Sequence, residues 1–204
     1  MAAKKKVYYI VGSGDFARDK FAPREGDTVI AADGGYAYVS DRADYVVGDW
    51  DSLGERPEGI ACITLPVNKD ITDLGYAISL ALESGADEIA LFGADGGRID
   101  HYLANLQYAV HIAERGVKCA LYCRDSVIYA LAAGRAAIEG KPGTLMSFIP
   151  MRGDTVVSIE GAEYPLDRRL MPIDNPGLGV SNVLKRAKAY VTVHEGAGLV
   201  IKYD

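Results

Sequence analysis

The sequence is poor in cysteine, has no long apolar segment and carries no excess of positive charge, and each shortage excludes a class of protein. Its three cysteines, Cys62, Cys119 and Cys123, are odd in number and contain no C-x-x-C pair. We therefore expect reduced thiols in a cytoplasmic protein, and neither a disulfide framework nor a zinc site. No apolar run reaches the roughly 18 residues that cross a membrane, and the N-terminus has no signal-peptide core. We expect no membrane association.

The balance of charge limits the partners of the chain. Among its 204 residues, 28 are acidic and 22 are basic, which gives a formal net charge of −6. A protein that binds nucleic acid would favour a basic stripe, whereas the one short basic run here, at 4–6, is typical of a solvated tail. We therefore expect no nucleic-acid partner.

Strand-like and helix-like patterns alternate over the first 124 residues. Apolar runs that predict buried strands lie at 7–11, 28–32, 45–48, 62–65, 89–93 and 118–123. Two segments have apolar residues at helical spacing, and Gly85 or Gly116 ends each of them. Their apolar faces consist of Leu74, Ala77, Ile78, Ala81 and Leu82 in the first segment, and of Leu103, Leu106, Val110 and Ala113 in the second. This alternation predicts an α/β domain at 1–124, with about six strands in a mainly parallel sheet and a three-layer αβα arrangement.

The pattern changes from about Asp125 onward. Short β-prone runs are broken by Gly, Pro and Asp, and no long helical period is visible. These features predict a second, all-β domain at 125–204 with a sandwich-like architecture.

Clusters of Asp, Gly and basic residues follow the carboxyl ends of the first five predicted strands. In an open parallel sheet these ends lie along one edge, where ligands bind. The sheet therefore gathers one set of charged side chains, namely Asp33, Asp49, Asp51, Lys69, Asp70, Asp73, Asp95, Arg98 and Asp100.

This set of residue types favours phosphate chemistry. Carboxylate oxygens suit Mg²⁺, which usually accompanies phosphates, and Lys69 and Arg98 can hold phosphate oxygens. The adjacent glycines let backbone N–H groups approach a phosphate closely. The sequence predicts a phosphoryl-transfer site.

Other interpretations of the same residues stay open at this point. Asp70, Asp73 and Asp100 could cap helices, and Asp49 and Asp51 could be ordinary loop residues. A calcium loop is excluded because Leu53 and Ile60 stand where oxygen ligands are needed.

Two alternative functions also remain. The stretch GSGDFA at 12–17, with Asp33 about 20 residues beyond its start, matches a dinucleotide fingerprint and would suggest an NAD-type oxidoreductase. That hypothesis leaves the acids at 49, 51, 73 and 100 unexplained. A non-catalytic sensor of a nucleotide is the third possibility.

Four motifs in order resemble the thiamine pyrophosphokinase family. They are DGG at 33–35, GDWDS at 48–52, KDITD at 69–73 and GGRIDH at 96–101. The later stretches GAEYPL at 161–166 and GVSN at 179–182 extend the resemblance over nearly the whole chain. It implies transfer of the pyrophosphoryl group of ATP to thiamine, with Mg²⁺ as cofactor. It also implies a cytoplasmic homodimer with active sites at the subunit interface. A non-catalytic sensor of thiamine stays open as an alternative.

The resemblance also implies roles for individual residues. Asp49, Asp51, Asp73 and Asp100 would be the metal-binding and catalytic carboxylates. ATP and its phosphates would contact residues of the three glycine- and lysine-containing motifs, which are Asp33, Gly34, Gly35, Lys69, Asp70, Thr72, Gly96, Gly97 and Arg98. Ser181, Asn182 and Tyr164 would bind thiamine. Asp73 or Asp100 would accept the proton of the thiamine hydroxyl.

Overall fold

The computed structural model describes residues 4–50, 54–66 and 70–204. Within these ranges the α-helices are α1 (Tyr36–Val39), α2 (Asp73–Glu83) and α3 (Ile99–Glu114). The strands are β1 (Val7–Val11), β2 (Thr28–Ala32), β3 (Tyr45–Gly48), β4 (Ala61–Thr64), β5 (Glu88–Phe92), β6 (Lys118–Tyr122), β7 (Ser126–Leu131), β8 (Gly134–Glu139), β9 (Leu145–Pro150), β10 (Thr155–Glu160), β11 (Leu166–Met171), β12 (Asn182–Val183), β13 (Lys188–Glu195) and β14 (Gly198–Tyr203). Short 3-10 turns lie at Arg18–Lys20, Asp33–Gly35 and Pro176–Gly179.

The chain divides into two compact units. The first comprises Met1–Tyr108 and Leu121–Arg124, and the second comprises Ala109–Ala120 and Asp125–Asp204. Strands belong to a large mixed sheet and to a four-stranded antiparallel sheet. In the described ranges, no helix is both long enough and apolar enough to span a membrane.

Parallel strands form the centre of the first unit. They lie in the order β5-β1-β2-β3-β4, and each neighbouring pair is parallel. Ile10 on β1 pairs with Ile30 on one side and with Leu91 on the other. All three side chains are fully buried, as expected for strands covered on both faces. Each of the six predicted apolar runs overlaps a strand, with ends that differ by one residue at most.

Helices α2 and α3 occupy the two segments with helical periodicity. Leu74, Ala77, Ile78 and Ala81 of α2 are buried as predicted. The predicted apolar face of α3 is wrong at Leu103, whose side chain is 57% exposed. The buried positions of α3 include Asn105, Ala109, Val110 and Ile112. The buried face of the helix is therefore rotated from the apolar face that the sequence predicts.

The second unit is built from antiparallel strands. β7, β14, β9 and β12 are neighbours in one sheet, and β11, β10, β13 and β8 form the other. Side chains from both sheets share one core, which includes Phe148 and Val200 from the first sheet and Ile159 and Val191 from the second. Face-to-face packing of this kind is typical of a sandwich.

The predicted fold class is confirmed in its coarse form, as a protein made mainly of strands with one large mixed sheet, one antiparallel sheet and few helices. The exact number of strands per domain, the three-layer arrangement and the boundary between 124 and 125 stay predictions.

The loops that follow β1 and β5 are hydrogen-bonded to each other beyond the ends of the strands. Gly12, Gly14 and Asp15 donate their backbone N–H groups to the carbonyls of Phe92, Gly93 and Asp95, at 2.8, 2.9 and 2.9 Å. The two backbones approach so closely that a Cβ atom on Gly14 would collide with the Asp95 carbonyl oxygen and lie 2.8 Å from that of Gly93. Glycine is therefore required at position 14.

We expect Gly14→Ala to lower the free energy of unfolding by about 3 kcal/mol, because the added methyl forces the two loops apart. Chemical denaturation measures this change. Gly177→Ala is the matched control, because its Cβ would have its nearest neighbour, Asn175 Oδ1, at 3.8 Å. Equal stability of the Gly14 variant and the wild type would contradict the close approach.

Candidate functional site

A cavity of about 500 Å³ opens in the first unit where four parallel strands end. Its lining includes Gly12 after β1, Asp33 after β2, Asp49 after β3 and Gly93 after β5. The residues predicted from the sequence that line it are Asp33, Asp49, Thr72, Asp73, Gly96, Gly97 and Arg98. The convergence of polar side chains at this edge of the sheet is therefore a feature of the structure.

Asp33 has two unusual features. Its backbone φ is +48°, in the left-handed region that non-glycine residues seldom adopt. Its Oδ1 atom is buried, and no group in residues 4–50, 54–66 and 70–204 forms a hydrogen bond with it. A buried carboxylate oxygen without a donor is costly, which marks this position as a place for a bound cation or donor.

The amino end of α2 also faces the cavity. Thr72 caps the helix, and its Oγ1 accepts a hydrogen bond from the Gly75 N–H at 3.0 Å. Asp73 is the first helical residue, and both residues line the cavity. The N–H groups and dipole of a helix start favour negative charge, so this end is suited to a phosphate. Asp70, which precedes the cap, is exposed and is not part of the lining.

Trp50 separates the two carboxylates of the acidic motif and also has a left-handed backbone, with φ of +70°. Its Nε1 donates to Thr64 Oγ1 at 3.1 Å, and its ring packs against the apolar core of the first unit. Strained backbone of this kind concentrates at functional sites. The anchored indole ring fixes the chain directly after Asp49.

Arg98 and Asp100 form a fork-shaped ion pair. The guanidinium donates from Nε to Oδ1 at 3.1 Å and from Nη2 to Oδ2 at 2.5 Å, and the His101 N–H adds a bond to Oδ1 at 2.9 Å. The hydrogen bond from Arg98 is the main reason that the pKa of Asp100 falls to about 2. Arg98 lines the cavity, whereas Asp100 does not.

Several predicted residues do not contribute to this lining. Gly34 and Gly35 lie in the 3-10 turn after β2, and Gly35 is buried so tightly that a Cβ would collide with the Val11 carbonyl. Asp51 and Lys69 lie outside the described residues. Among the residues that are described, no three His, Cys, Asp or Glu side chains are grouped so that they could hold a metal ion.

The three residues predicted to bind thiamine belong to the second unit. Asn182 is buried, accepts the Tyr164 N–H at 3.0 Å and donates to the Tyr164 carbonyl at 2.8 Å. The Tyr164 side chain is 64% exposed. Ser181 has φ of +61°, and its N–H donates to Ser147 Oγ at 3.1 Å. Asn182 therefore holds the backbone of Tyr164 and leaves its ring accessible.

Sequence reasoning missed several lining residues, including Ser13, His101, Tyr102 and Asn105, and gave Asp95 no specific role. Asn105 is buried on the same helix face as Ala109, four positions later. The apolar pattern of the helix gave no sign of this face. The backbone of the loop at 93–97 also contributes to the cavity, and the pattern of glycines alone does not reveal its path.

Comparison with known proteins gives consistent results along the whole chain. A family model described as the thiamin pyrophosphokinase catalytic domain matches residues 23–121, and one described as the thiamin pyrophosphokinase vitamin B1 binding domain matches residues 137–200. Together they match well over half of the sequence. The chain belongs to the thiamine pyrophosphokinase family.

Individual relatives agree with this assignment. The thiamine pyrophosphokinase of Bacillus subtilis strain 168 is 29% identical over 163 residues, which cover 76% of each chain. The crystal structure of a Bacillus subtilis thiamine pyrophosphokinase has a TM-score of 0.86 at 26% identity, covering 97% of this chain and 99% of the other. A thiamin pyrophosphokinase family protein from Enterococcus faecalis has a TM-score of 0.78 at 25% identity, covering 98% and 99%.

Membership of the thiamine pyrophosphokinase family confirms the predicted enzyme class and function, and it leaves the two alternatives without support. The structure supplies a physical reason against a dinucleotide site. The N–H groups of Gly12, Gly14 and Asp15 already donate to the last residue of β5 and to the loop that follows it. The chain after β1 enters a three-residue 3-10 turn, where a dinucleotide-binding unit needs an α-helix.

We expect the pKa of Asp100 to rise from about 2 towards its ordinary 3.8 in Arg98→Gln, because the main hydrogen bond to the carboxylate is lost. An NMR titration of the side-chain carboxyl in EDTA measures this shift. Arg135→Gln removes a comparable exposed ion pair, with Glu160, and should leave Asp100 unchanged. A value that stays near 2 in Arg98→Gln would disprove the stated cause.

Proposed function

We propose that this chain transfers the pyrophosphoryl group of ATP to the hydroxyl of thiamine, giving thiamine diphosphate and AMP, and that the cavity of the first unit holds the reacting phosphates. The observation that carries the proposal is the meeting of Asp33 and Asp49, at the ends of parallel strands, with Asp73 at the start of α2. It occurs in a chain whose two halves both match this family.

We assign the phosphate contacts to groups that surround the cavity. The start of α2 at Thr72 offers N–H groups, and the Arg98 guanidinium offers charged donors. Gly96 and Gly97 have φ of +75° and +59°. No atom of the described part of the chain lies within 4 Å of a Cβ built on Gly97, so ligand atoms can approach this backbone. Gly34, Gly35, Lys69 and Asp70 are proposed on the resemblance alone.

The donor set fits Mg²⁺. Asp49 and Asp73 present carboxylates to one cavity, and Asp33 Oδ1 is a buried oxygen that no described group satisfies. Mg²⁺ is commonly held by one or two carboxylates plus substrate phosphates, so a complete protein cage is not needed. Asp49 and Asp73 would hold it from the lining of the cavity. Asp51 and Asp100 are added to the metal-binding set on the resemblance alone, since Asp100 lies outside the lining and is paired with Arg98. The ion would offset the charge on the transferring phosphates.

We assign proton acceptance to Asp73, through the carboxylate oxygen that would not bind the ion. The hydroxyl of thiamine attacks the β-phosphorus of ATP in line, AMP leaves, and the hydroxyl proton must go to a base. A base works best when its pKa lies near the operating pH. The pair with Arg98 keeps the pKa of Asp100 at about 2, which makes this carboxylate a weak proton acceptor. Asp73 lines the cavity at the start of α2.

Thiamine is proposed to bind through Tyr164, Ser181 and Asn182. The oxygen and the nitrogen of the Asn182 side-chain amide are both hydrogen-bonded to the backbone of Tyr164. We therefore assign Asn182 the role of positioning Tyr164. The exposed ring of Tyr164 can stack on an aromatic ring of the substrate.

The active form is proposed to be a cytoplasmic homodimer with domains at 1–124 and 125–204. Leu170, Ile173, Leu178 and Val180 are all more than 40% exposed on the second unit, which supports burial against a second copy. Cys62 and Cys119 are free thiols, which supports a reducing compartment.

The reaction is tested by incubating the protein with ATP, thiamine and Mg²⁺, with and without EDTA, and separating the products by chromatography. We expect thiamine diphosphate and AMP in equal amounts, and no product in EDTA. Formation of ADP or phosphate in place of AMP would contradict pyrophosphoryl transfer, and turnover that survives EDTA would contradict the metal requirement.

We expect Asp73→Asn to lower kcat by about 10²- to 10⁴-fold, the usual contribution of a general base, while its helix start is preserved because Asn keeps the size of Asp. Steady-state kinetics measures the loss. Asp41→Asn, on the exposed surface away from the cavity, should retain wild-type kcat. An undiminished kcat in the Asp73 variant would show that another carboxylate accepts the proton.

We expect Tyr164→Ala to raise the KM for thiamine about five- to tenfold, because stacking of aromatic rings contributes about 1 kcal/mol, and to leave the KM for ATP unchanged. Tyr164→Phe should behave like the wild type, and Tyr203→Ala, which removes another exposed tyrosine ring, is the matched control. An unchanged KM for thiamine in Tyr164→Ala would refute the stacking role.

A further inference from the structure

Asn105 is a buried polar residue on α3 that the resemblance does not include. Its side chain is only 7% exposed, and it lines the cavity of the first unit. The Nδ2 atom donates to the backbone carbonyl of Ala94 at 2.8 Å. Burying a polar side chain costs desolvation free energy unless hydrogen bonds compensate for it. The buried position of Asn105 and its contact with Ala94 therefore need an explanation.

The loop at 93–98 contains Ala94 and is bound on one side by the loop after β1. The carbonyls of Phe92, Gly93 and Asp95 accept N–H groups from residues 12–15. The Ala94 carbonyl accepts from α3 through Asn105 instead. Hydrogen bonds from two different elements, the chain at 12–15 and α3, therefore hold successive residues of the same short segment.

This loop carries the backbone that borders the cavity. Asp95, Gly96, Gly97 and Arg98 all contribute to the lining. Gly96 and Gly97 have positive φ, and glycine backbone has many alternatives of similar energy. A segment of this kind needs external bonds to keep one conformation, and Asn105 supplies such a bond from the side of α3.

We propose that Asn105 is a positioning residue, which fixes the loop at 93–98 so that its backbone and Arg98 meet the phosphates of the nucleotide. The inference rests on the proposed function, because it gives the loop a phosphate to contact. The side chain must donate a hydrogen bond to Ala94. Aspartate at this position would turn a carboxylate oxygen towards the Ala94 carbonyl oxygen, and leucine would leave that carbonyl without its donor.

The test compares Asn105→Asp and Asn105→Leu with the wild type in steady-state kinetics. We expect the KM for ATP to rise about tenfold or more, since a small displacement of a binding group costs one to two orders of magnitude, while the KM for thiamine changes less than twofold. The ATP-induced increase in Tm, measured with Mg²⁺ and no thiamine, should shrink in parallel.

A purely structural role predicts a different result. Thr155→Val removes a buried hydroxyl of the second unit, which donates to the Gly153 carbonyl at 3.3 Å, and serves as the control for a lost buried hydrogen bond. We expect it to lower Tm and leave both KM values unchanged. Asn105 variants that behave in the same way would overturn the proposal.

ATP binding, measured by the change in Tm, tests the role of Asn105 independently of turnover. A wild type that binds ATP but makes no thiamine diphosphate would refute the proposed reaction, and the ATP-induced change in Tm would still decide the role of Asn105. A wild type that neither turns over nor binds ATP would overturn both. If Asn105→Leu does not fold, the nearly isosteric Asn105→Asp carries the same comparison.

Discussion

The close pairing of the loops after β1 and β5 is the constraint on which the rest of the cavity depends. Parallel strands bring these two loops to one edge of the sheet. Past the end of β1, backbone N–H groups of the first loop donate to carbonyls of Phe92 and of the second loop. Such contact is possible only without side chains at Gly12 and Gly14. These hydrogen bonds occupy N–H groups of the first loop that a dinucleotide phosphate would otherwise need. The stretch at 12–17 matches a dinucleotide fingerprint but therefore forms one wall of the cavity described above.

Residues around this wall bring carboxylates close together and include left-handed backbone conformations, and both features cost free energy. Carboxylates after β2 and β3 face a helix start and an arginine, so repulsion between the acids is offset by donors and by any bound cation. Asp33 and Trp50 are held in left-handed backbone conformations beside the cavity, which costs free energy that the surrounding packing must supply. The Trp50 indole shows how this is done, since one hydrogen bond to Thr64 and contact with the core fix it.

The second unit uses a buried amide in a similar way. Asn182 binds both backbone groups of Tyr164, and Asn105 of the first unit binds the carbonyl of Ala94. In both places a side-chain amide in the interior fixes a short irregular segment whose own sequence allows several conformations. The exposed tyrosine, arginine and glycines to which we assign ligand contacts are then positioned by residues that are themselves buried.

The sequence by itself determined the strands, the two long helices and the family. Apolar runs and helical periods depend on which residues are buried, and they located six strands together with α2 and α3. The order of four motifs identified the chemistry, and their places after strand ends predicted that Asp33, Asp49 and Asp73 would meet. Only the tertiary structure decided which neighbours these elements have. It turned Asp100 towards Arg98, exposed Leu103 and buried Asn105, because periodicity defines a helix face but not the surface against which that face packs.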